Sequence, residues 1–211
     1  MVIKDLGVID YLAAYQIQKE AVQRVLNSGD ETLFLCEHPA VITKGRMSHD
    51  EHIYLEVLGD RAKDIQIQTI DRGGDVTLHA PGQLVVYPIL DLKNHGKDLR
   101  MYIRELEQVL IDLLDYFGIM ARRHEEHTGV WVKDKKIASL GIGIKKWISF
   151  HGIGLNVSTD LSLFSFIKPC GLDVGMTTME EEKGNSICIQ DVKDKMVDLF
   201  QKSFNVNSIE G

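Results

Sequence analysis

Cysteine, proline and long apolar runs are all scarce in this chain. Its 211 residues include only three Cys and four Pro. An odd number of Cys at unrelated positions argues against a disulfide framework and favours a reducing compartment. No segment approaches the roughly 18 uncharged apolar residues of a membrane-spanning helix, and the N-terminal stretch lacks both a basic start and an apolar core. We therefore expect a cytoplasmic protein that does not enter the membrane.

Positive charge and flexible linkers are also lacking. The chain carries 24 basic and 31 acidic residues, a formal net charge of -7, which argues against a general nucleic-acid-binding surface. No Pro-, Ser- or Gly-rich linker and no low-complexity run divides the sequence, which is long enough to bury a substantial core. We predict one catalytic domain over residues 1–211 and, without a long heptad pattern, a monomer.

Apolar periodicity predicts a mixture of helices and strands. Helical spacing is strongest over residues 11–26, 99–117 and 189–204. Short runs rich in β-branched and aromatic residues predict strands at 32–36, 65–70, 83–89, 129–132, 137–144 and 148–157. The elements do not alternate regularly as βαβ units. This order favours an α+β fold with a mixed sheet and packed helices.

The three cysteines stand in different sequence settings. Cys36 and Cys188 lie within apolar runs, which predicts that both are buried packing residues. Cys170 stands between proline and glycine, in a turn from which a side chain can face a cleft. Because the thiolate is the nucleophile and an ordinary Cys has a pKa of about 8.5, a nucleophilic Cys170 would need a nearby positive charge.

Two other segments provide the partners for such a thiol. The glycine-rich run RGGDVTLHAPGQ spans 72–83, and KKIASLG, at 135–141, brings in Lys136. A Gly-Gly pair alone usually marks only a turn. Glycines nevertheless let backbone N–H groups approach an oxyanion, and Gly73, Gly74, Gly141 and Gly171 are the candidates. A thiol, a lysine and such a surface together predict acyl transfer from a thioester to an amine.

The run at 72–83 resembles the signature of the lipoyl(octanoyl) transferase family, which reads RGG, two residues, Thr, an aromatic residue, His and a GPGQ-like turn. Further segments resemble the family in its own order: EHPAVITKGR (37–46), TGVWV (128–132), KIASLG (136–141), FHGIGLNV (150–157) and PCG (169–171). The resemblance covers nearly the whole chain. It implies the fold of the biotin and lipoate protein ligase catalytic domains.

The same resemblance implies an activity. Enzymes of this family transfer an octanoyl or lipoyl group from acyl carrier protein to a particular lysine on lipoyl domains of 2-oxoacid dehydrogenases and on the glycine cleavage H protein, in protein lipoylation. Cys170 matches the family cysteine that becomes the acyl thioester. Lys136 matches the lysine that lowers the pKa of that thiol and moves protons. Neither a cofactor nor a metal is implied.

Three stretches match the family's substrate-binding segments, and His79 is expected to be a pocket wall or hydrogen-bonding residue rather than a general base. The implied binding residues are Arg72, Gly73, Gly74, Asp75, Val76, Thr77, Leu78, His79, Ser139, Leu140, Gly141, Gly152, Ile153 and Gly154.

Three positions depart from the family pattern. Leu78 replaces an aromatic residue, Ala80 replaces Gly, and Gly154 stands where Ala is common. A smaller side chain at 78 and at 154 predicts a roomier acyl pocket, with tolerance of decanoyl beside octanoyl. Pro81 and Gly82 can still form the turn after Ala80.

Other polar clusters are interpreted as surface features. His124 and His127 lack the spacing of an HExxH zinc motif, so no metal is predicted there. Residues 180–183 are predicted to form a solvated loop. Docking of an acidic carrier protein would need a local basic face, although scattered solubilising charges are an equal alternative. The candidates for that face are Lys44, Arg46, Arg72, Arg122, Arg123, Lys145, Lys146 and Lys168.

Three other functions compete with acyl transfer. An ATP-dependent lipoate or biotin ligase would use the lysine on an acyl-adenylate, but would need no nucleophilic Cys170, and no additional nucleotide loop is evident. A noncatalytic module would bind lipoyl domains without any covalent acyl group. A Cys-His hydrolase would use His79 or His151 as its base, yet it gives Lys136 no role.

Overall fold

The computed structural model describes residues 1–54, 56, 65–168 and 174–204. The predicted Cys170 turn therefore lies outside the described residues. The longer helices within them are α1 (Tyr11–Ser28), α2 (Leu99–Tyr116) and α4 (Ile189–Phe204), and α3 (Met179–Lys183) is a short helix. Two 3-10 turns cover Asp50–His52 and Leu161–Phe166. No helix in these ranges is long and apolar enough to cross a membrane.

The described strands form two sheets. The larger sheet has seven strands in the order β1-β2-β6-β10-β9-β8-β7, and the smaller has three in the order β4-β3-β5. Strand β1 is parallel to β2, and β3 to β4, whereas the other pairs are antiparallel. This mixture confirms the predicted α+β class. The strands are β1 (Val2–Val8), β2 (Thr32–Glu37), β3 (Val41–Lys44), β4 (Gln66–Thr69), β5 (Val76–His79), β6 (Gln83–Ile89), β7 (Arg122–Arg123), β8 (Val130–Val132), β9 (Lys135–Lys145) and β10 (Ile148–Asn156).

Helices cover both faces of the large sheet. Asp10 caps the N-terminus of helix α1, because its carboxylate accepts the N–H groups of Leu12 and Ala13. Gly29, in the left-handed conformation, caps the C-terminus. The apolar face of α1 packs on one side of the sheet, with Ala14, Ala21, Val22 and Val25 against Phe34, Val85 and Phe150. Helices α2 and α4 cover the other side, where Leu106, Leu110 and Phe200 share a cluster with Val86, Ile153 and Leu155.

A separate apolar cluster supports the small sheet. Ile42, Val76, Leu78 and Ala80 pack there with Phe164 and Phe166. At the end of β5, the predicted turn is confirmed: the Gln83 N–H donates to Ala80 O at 3.1 Å, and Gly82 has φ +80°. This positive φ favours glycine, as expected for the third position of a type II turn.

Two predictions about the last third of the chain were wrong. Residues 180–183 are not a loop but belong to α3, because the Thr178 hydroxyl caps the helix by accepting the Glu181 N–H and Met179 is buried beneath it. Cys188 is exposed rather than buried, although its sequence neighbours are apolar. Cys36 is buried as predicted.

The β9–β10 hairpin brings two of the predicted binding segments together. Lys146 and Trp147 form its tip, with φ of +53° and +70°, as a two-residue hairpin turn with right-handed twist requires. The resulting register pairs Ser139 with Gly154 and Gly141 with Gly152. Residues that are 11 and 15 positions apart in sequence thus lie side by side.

Candidate active site

A narrow cavity lies between the small sheet and the large one. It has a volume of about 40 Å³, which is room for only a few water molecules. Ten of the predicted binding residues line it, together with four that were not predicted as binding residues. The predicted ones are Arg72, Gly74, Thr77, His79, Ser139, Leu140, Gly141, Gly152, Ile153 and Gly154, and the additional ones are Tyr11, Gln83, Tyr87 and His151.

Strand alternation divides the predicted residues of β5 between two environments. Thr77 and His79 face the cavity, whereas Val76 and Leu78 belong to the apolar cluster on the opposite side. Successive side chains of a strand point to opposite faces. The expectation that Val76 and Leu78 line the acyl pocket is therefore wrong, and the missing aromatic ring at 78 cannot widen this cavity.

Two glycines of β10 allow close packing at the cavity wall. A Cβ at Gly152 would lie 2.0 Å from the carbonyl oxygen of Val86 on the neighbouring strand, so no side chain fits there. A Cβ at Gly154 would lie 2.9 Å from Oε1 of Gln83. The space beside Gly154 is thus already taken by the Gln83 carboxamide, which contradicts the expectation of a roomier pocket at this position.

Arg72 is a buried cation in the cavity wall rather than part of a docking face. Its side chain is 6% exposed. Nη2 donates to the carbonyl and the hydroxyl of Thr43 at 2.8 and 3.0 Å, and Nη1 donates to Gly73 O at 3.0 Å. These contacts tie the start of the RGG segment to β3. Arg72 must therefore be removed from the predicted basic docking surface.

Of the candidate oxyanion donors, Gly73 is already engaged. Its N–H donates to Ile142 O at 2.8 Å, which ties the RGG segment to β9. Gly74, with φ +84°, and Gly141 both border the cavity. Gly171 lies outside the described residues, so Gly74 and Gly141 are the candidates whose position is known.

A relay of amide groups holds His79. The ring Nδ1 lies 2.7 Å from Gln83 Oε1, and Gln83 Nε2 donates to Asn156 Oδ1 at 2.9 Å and to Leu78 O at 3.3 Å. Burial is the main cause that lowers the pKa of His79, to about 3. The ring is therefore neutral at physiological pH, which agrees with a hydrogen-bonding role and disfavours a general base.

A cluster of tyrosine and histidine rings forms part of the cavity wall. The Tyr11 ring stacks on His79 with centroids 5.8 Å apart, and His38 contacts both rings edge-on. His38 Nδ1 donates to Ile9 O at 2.7 Å, so Nε2 accepts the Tyr87 hydroxyl at 2.8 Å. These two bonds make His38 a support for the Tyr87 hydroxyl.

His151 supports the cavity from the α1 side. It is 2% exposed and has φ +56°. Its backbone N–H donates to Gln18 Oε1 at 2.8 Å, and its Nε2 lies 3.1 Å from Asp71 Oδ1. Burial lowers its pKa to about 4, although Asp71 opposes the shift. Because the His151 backbone is bonded to Gln18 of helix α1, the position of the adjacent Gly152 is fixed as well.

Lys136 lies in a second cleft that adjoins the cavity. This cleft also contains Gly73, Asp75 and His127, and it shares Gly74, Leu140 and Gly141 with the cavity. Lys136 is 1% exposed, and its Nζ lies 5.6 Å from the centre of the Trp131 ring. A cation over an aromatic face is stabilised electrostatically. Gly74, Leu140 and Gly141 therefore lie between Lys136 and the cavity that His79 lines.

Helix α2 secures the backbone beside Lys136. Glu107 is 1% exposed, and its Oε1 accepts the Gly129 N–H at 3.0 Å. Its Oε2 pairs with Arg104 at 2.8 Å and with Arg123 Nε at 3.3 Å. Two cations and an amide N–H compensate for burial of this carboxylate. The pairing also occupies Arg123, which was a candidate for carrier docking.

Asp75 faces the second cleft rather than the narrow cavity. Its Oδ2 lies 2.5 Å from His52 Nδ1, and its Oδ1 accepts the N–H groups of Val76 and His49 at 2.8 and 3.2 Å. These bonds connect the 3-10 turn Asp50–His52 to the start of β5. Asp75 is therefore a structural link between the loop after β3 and the RGG segment.

Residues 175–177 are bonded to the backbone of Lys136. The Lys136 N–H donates to Gly175 O at 2.9 Å, and the Thr177 N–H donates to Lys136 O at 3.0 Å. On the preceding side, the Lys168 N–H donates to His52 O at 2.8 Å. The described residues on either side of Cys170 thus contact two sides of the cleft that contains Lys136.

The rings of His124 and His127 stack near the same cleft. Their centroids are 4.7 Å apart, and His124 lies 5.0 Å from Trp131. In the described part of the chain, no group of three or more His, Cys, Asp or Glu side chains could hold a metal ion. The two histidines pack around the tryptophan that faces Lys136.

Comparisons of the sequence with known proteins identify relatives over nearly the whole chain. The family described as the lipoyl protein ligase A/B catalytic domain matches residues 10–201. The octanoyltransferase of Syntrophotalea carbinolica is 46% identical over 204 residues, which cover 95% of this chain and 93% of that protein.

Solved structures show the same fold at low sequence identity. A bi-partite lipoate protein ligase from Thermoplasma acidophilum superimposes with a TM-score of 0.76 and 17% identity, covering 100% of this chain and 86% of that one. The biotin protein ligase from Aquifex aeolicus, in complex with biotin and ATP, gives a TM-score of 0.60 and 15% identity over 97% of this chain and 70% of that one. The predicted fold is confirmed, and the chain belongs to the lipoyl protein ligase A/B catalytic domain family.

Proposed function

We propose that this protein is an octanoyltransferase that moves an octanoyl group from acyl carrier protein to a specific lysine of a lipoyl domain. The observation that carries the proposal is the position of Lys136, buried in a cleft that shares Gly74 and Gly141 with a narrow cavity. The 46%-identical relative named octanoyltransferase supports the same activity.

The reaction proceeds in two acyl transfers: from the carrier to Cys170, and from Cys170 to the acceptor lysine. The Cys170 thiolate attacks the carbonyl carbon of the octanoyl thioester, and the carbon–sulfur bond to the carrier's pantetheine then breaks. The pantetheine sulfur leaves with a proton from Lys136. In the second step the neutral lysine amine of the lipoyl domain attacks the acyl-Cys170, its extra proton passes to Lys136, and the thiolate is restored. Neither step consumes ATP.

Backbone geometry supports stabilisation of the tetrahedral oxyanion near Gly74 and Gly141. Both glycines border the acyl cavity as well as the Lys136 cleft, so their backbone lies where a carbonyl reacting between the two spaces would be held. The acyl chain would then enter the cavity that Thr77 lines. The carrier and the acceptor would approach through the cleft that contains His127 and Lys136.

The chain is proposed to act as a single monomeric catalytic domain in the cytoplasm. The single-domain part of this proposal is supported by the large sheet, which contains both β1 and β10. The donor is octanoyl-acyl carrier protein, and the acceptors are lipoyl domains of 2-oxoacid dehydrogenases and the glycine cleavage H protein. Lys145 and Lys146, both exposed at the hairpin tip, remain candidates for a basic docking face.

Intact-mass spectrometry tests the covalent step. The protein is mixed with octanoyl carrier protein in the absence of ATP and lipoyl domain, in a Cys188→Ser background because Cys188 is exposed. We expect an added octanoyl mass that maps to Cys170 and is absent in Cys170→Ala. Modification at Cys36, or no modification, would contradict the assignment.

The same samples distinguish the competing functions. A lipoate or biotin ligase would modify the lipoyl domain only with free acid and ATP. A binding module would retain the lipoyl domain without any mass change in either protein. A hydrolase would release octanoate from the carrier and leave the acceptor lysine unmodified. Octanoyl transfer without nucleotide is expected only from the proposed enzyme.

A further inference from the structure

The orientation of the His79 ring can be traced to a backbone carbonyl. Asn156 Nδ2 donates to Thr177 O at 3.1 Å, and a carbonyl oxygen can only accept. Asn156 Oδ1 therefore faces Gln83 and requires a donor, which is Gln83 Nε2 at 2.9 Å. Gln83 Oε1 is then the atom that faces His79 Nδ1 at 2.7 Å. Because Oε1 can only accept, Nδ1 must carry the proton.

This relay leaves the other ring nitrogen as an acceptor. The His79 ring is neutral, so a proton on Nδ1 means that Nε2 has a free lone pair. The ring lines the narrow cavity, where that lone pair is available to a donor on the substrate. Gln83 Nε2 also donates to Leu78 O at 3.3 Å. This second carbonyl acceptor independently requires the same orientation of the Gln83 carboxamide.

We propose that Gln83 is a positioning residue that fixes His79 in its Nδ1–H tautomer, so that Nε2 accepts a hydrogen bond from an N–H donor of the substrate. The inference rests on the proposed octanoyl transfer and assigns a role that none of the predicted catalytic residues fills. Two N–H sources are compatible with this chemistry: the amides of the carrier's pantetheine arm and the amine of the acceptor lysine.

The relay also links this tautomer to the catalytic region. Thr177 O starts the relay, and the Thr177 N–H bonds to the carbonyl of Lys136. The segment that pairs with Lys136 thus also determines which nitrogen of His79 is protonated. Gly154 takes part by leaving space for the Gln83 carboxamide, since a Cβ there would lie 2.9 Å from Oε1.

Nitrogen-15 NMR of histidine-labelled protein reads the tautomer directly. We expect His79 to carry its proton on Nδ1 in the wild type. In Gln83→Leu the acceptor is lost, and a mixture or the Nε2–H form is expected. A Gln83→Leu protein that folds and keeps the pure Nδ1–H form would overturn the proposal. If Gln83→Leu does not fold, the spectrum of the wild type decides: a proton on Nε2 of His79 would overturn the proposal.

Kinetics of His79 variants test the acceptor role. His79→Gln places a side-chain oxygen near the position of Nε2, whereas His79→Asn replaces only the Nδ1 donor. Loss of one hydrogen bond costs about tenfold in rate, so we expect His79→Asn to lose about tenfold and His79→Gln to retain most of the rate. The reverse order would contradict an Nε2 acceptor.

The two half-reactions identify the donor. If the pantetheine amide binds to Nε2, His79→Asn slows acylation of Cys170 by the carrier. If the lysine amine binds there, only transfer from preformed acyl-enzyme to the lipoyl domain slows. Equal rates for wild type and His79→Asn in both half-reactions would refute the inference. An octanoyl mass on Cys170 with an unchanged tautomer in Gln83→Leu would refute it while leaving the proposed function intact.

Discussion

The side chain of Lys136 occupies space that a glycine at position 129 leaves open. A Cβ at Gly129 would lie 2.5 Å from Lys136 Cε and 3.2 Å from Nζ. Gly129 also has φ +135°, a conformation that other residues rarely adopt. Its N–H is held by buried Glu107. The TGVWV segment therefore shapes the site of Lys136 through a missing side chain.

Gly129→Ala is expected to displace Lys136 and reduce octanoyl transfer at least tenfold. The backbone conformation alone should cost about 1–3 kcal/mol of unfolding free energy. Gly184→Ala is the matched control, because Gly184 also has positive φ, +75°, but nothing lies within 4 Å of an added Cβ. The control should lose stability and keep its activity. Denaturant unfolding and transfer assays on both variants would separate strain from displacement.

Lys136 is expected to have two separable roles: its charge lowers the pKa of the Cys170 thiol, and its amine transfers protons during the reaction. In Lys136→Ala, loss of the nearby positive charge should raise the pKa of Cys170, and one pKa unit means about tenfold less thiolate at neutral pH. Lys136→Arg keeps the charge but cannot exchange protons near pH 7, so alkylation should persist while transfer fails. Iodoacetamide rates against pH, in the Cys188→Ser background, would measure the first effect. An unchanged pKa in Lys136→Ala would show that another group activates the thiol.

The long elements could be predicted from sequence because their apolar patterns are long. The three long helices and the β9–β10 hairpin came within a few residues of their observed bounds. The edge strand β1, whose side chains are mostly exposed, and the two-residue strand β7 were missed. Strands β3 and β5 were also missed, although β4, of the same four-residue length, was predicted. That omission hid the alternation that turns Leu78 away from the cavity and His79 toward it.

Other site features depend on contacts between distant segments. Arg72 reads as a surface cation in sequence, yet Thr43 of β3 receives its guanidinium in the interior. Gln83 was visible as the last residue of the glycine-rich run, but its role requires Asn156, which is 73 positions away. Local sequence patterns carry no information on such partners. Family resemblance located the segments, and the register of the strands determined which side chains meet.

Two histidines should give opposite pH dependences of stability. The hydrogen bond that the His95 ring donates to the Glu31 carboxylate is the main cause that raises the pKa of His95, whereas burial lowers the pKa of His151 to about 4. The His95 contribution is complete below the unfolded pKa of about 6.5 and is lost as pH rises through the folded value. The His151 contribution is complete above about 6.5 and is lost as pH falls toward 4.

Unfolding free energies of His95→Gln and His151→Gln would check both signs. The difference between wild type and His95→Gln should shrink from pH 6 to pH 8. The difference between wild type and His151→Gln should shrink between pH 6.5 and pH 4.5, by up to about 1.4 kcal/mol per pH unit. Parallel slopes for the two variants would contradict the assigned environments.

Acyl-chain selectivity provides the last prediction, and it centres on Gly154. An added methyl group there would contact Oε1 and Cδ of Gln83, at 2.9 and 3.2 Å, before it reached an acyl chain. We therefore expect Gly154→Ala to change the ratio of octanoyl to decanoyl transfer by less than about threefold, below the effect of one methylene in an apolar site. Leu78→Phe should likewise leave the ratio unchanged, because Leu78 packs in the cluster with Ile42, although overpacking should cost about 1–3 kcal/mol of stability.

Thr77→Leu is the positive comparison for this experiment, because Thr77 lies on the same strand as Leu78 but faces the cavity. Its larger side chain should narrow the chamber and disfavour decanoyl relative to octanoyl and hexanoyl. Competition among the three acyl carrier proteins, read from the mass of the modified lipoyl domain, measures all variants under one condition. A steep loss of decanoyl transfer in Gly154→Ala, with Thr77→Leu unaffected, would place the acyl chain beside β10 and away from β5.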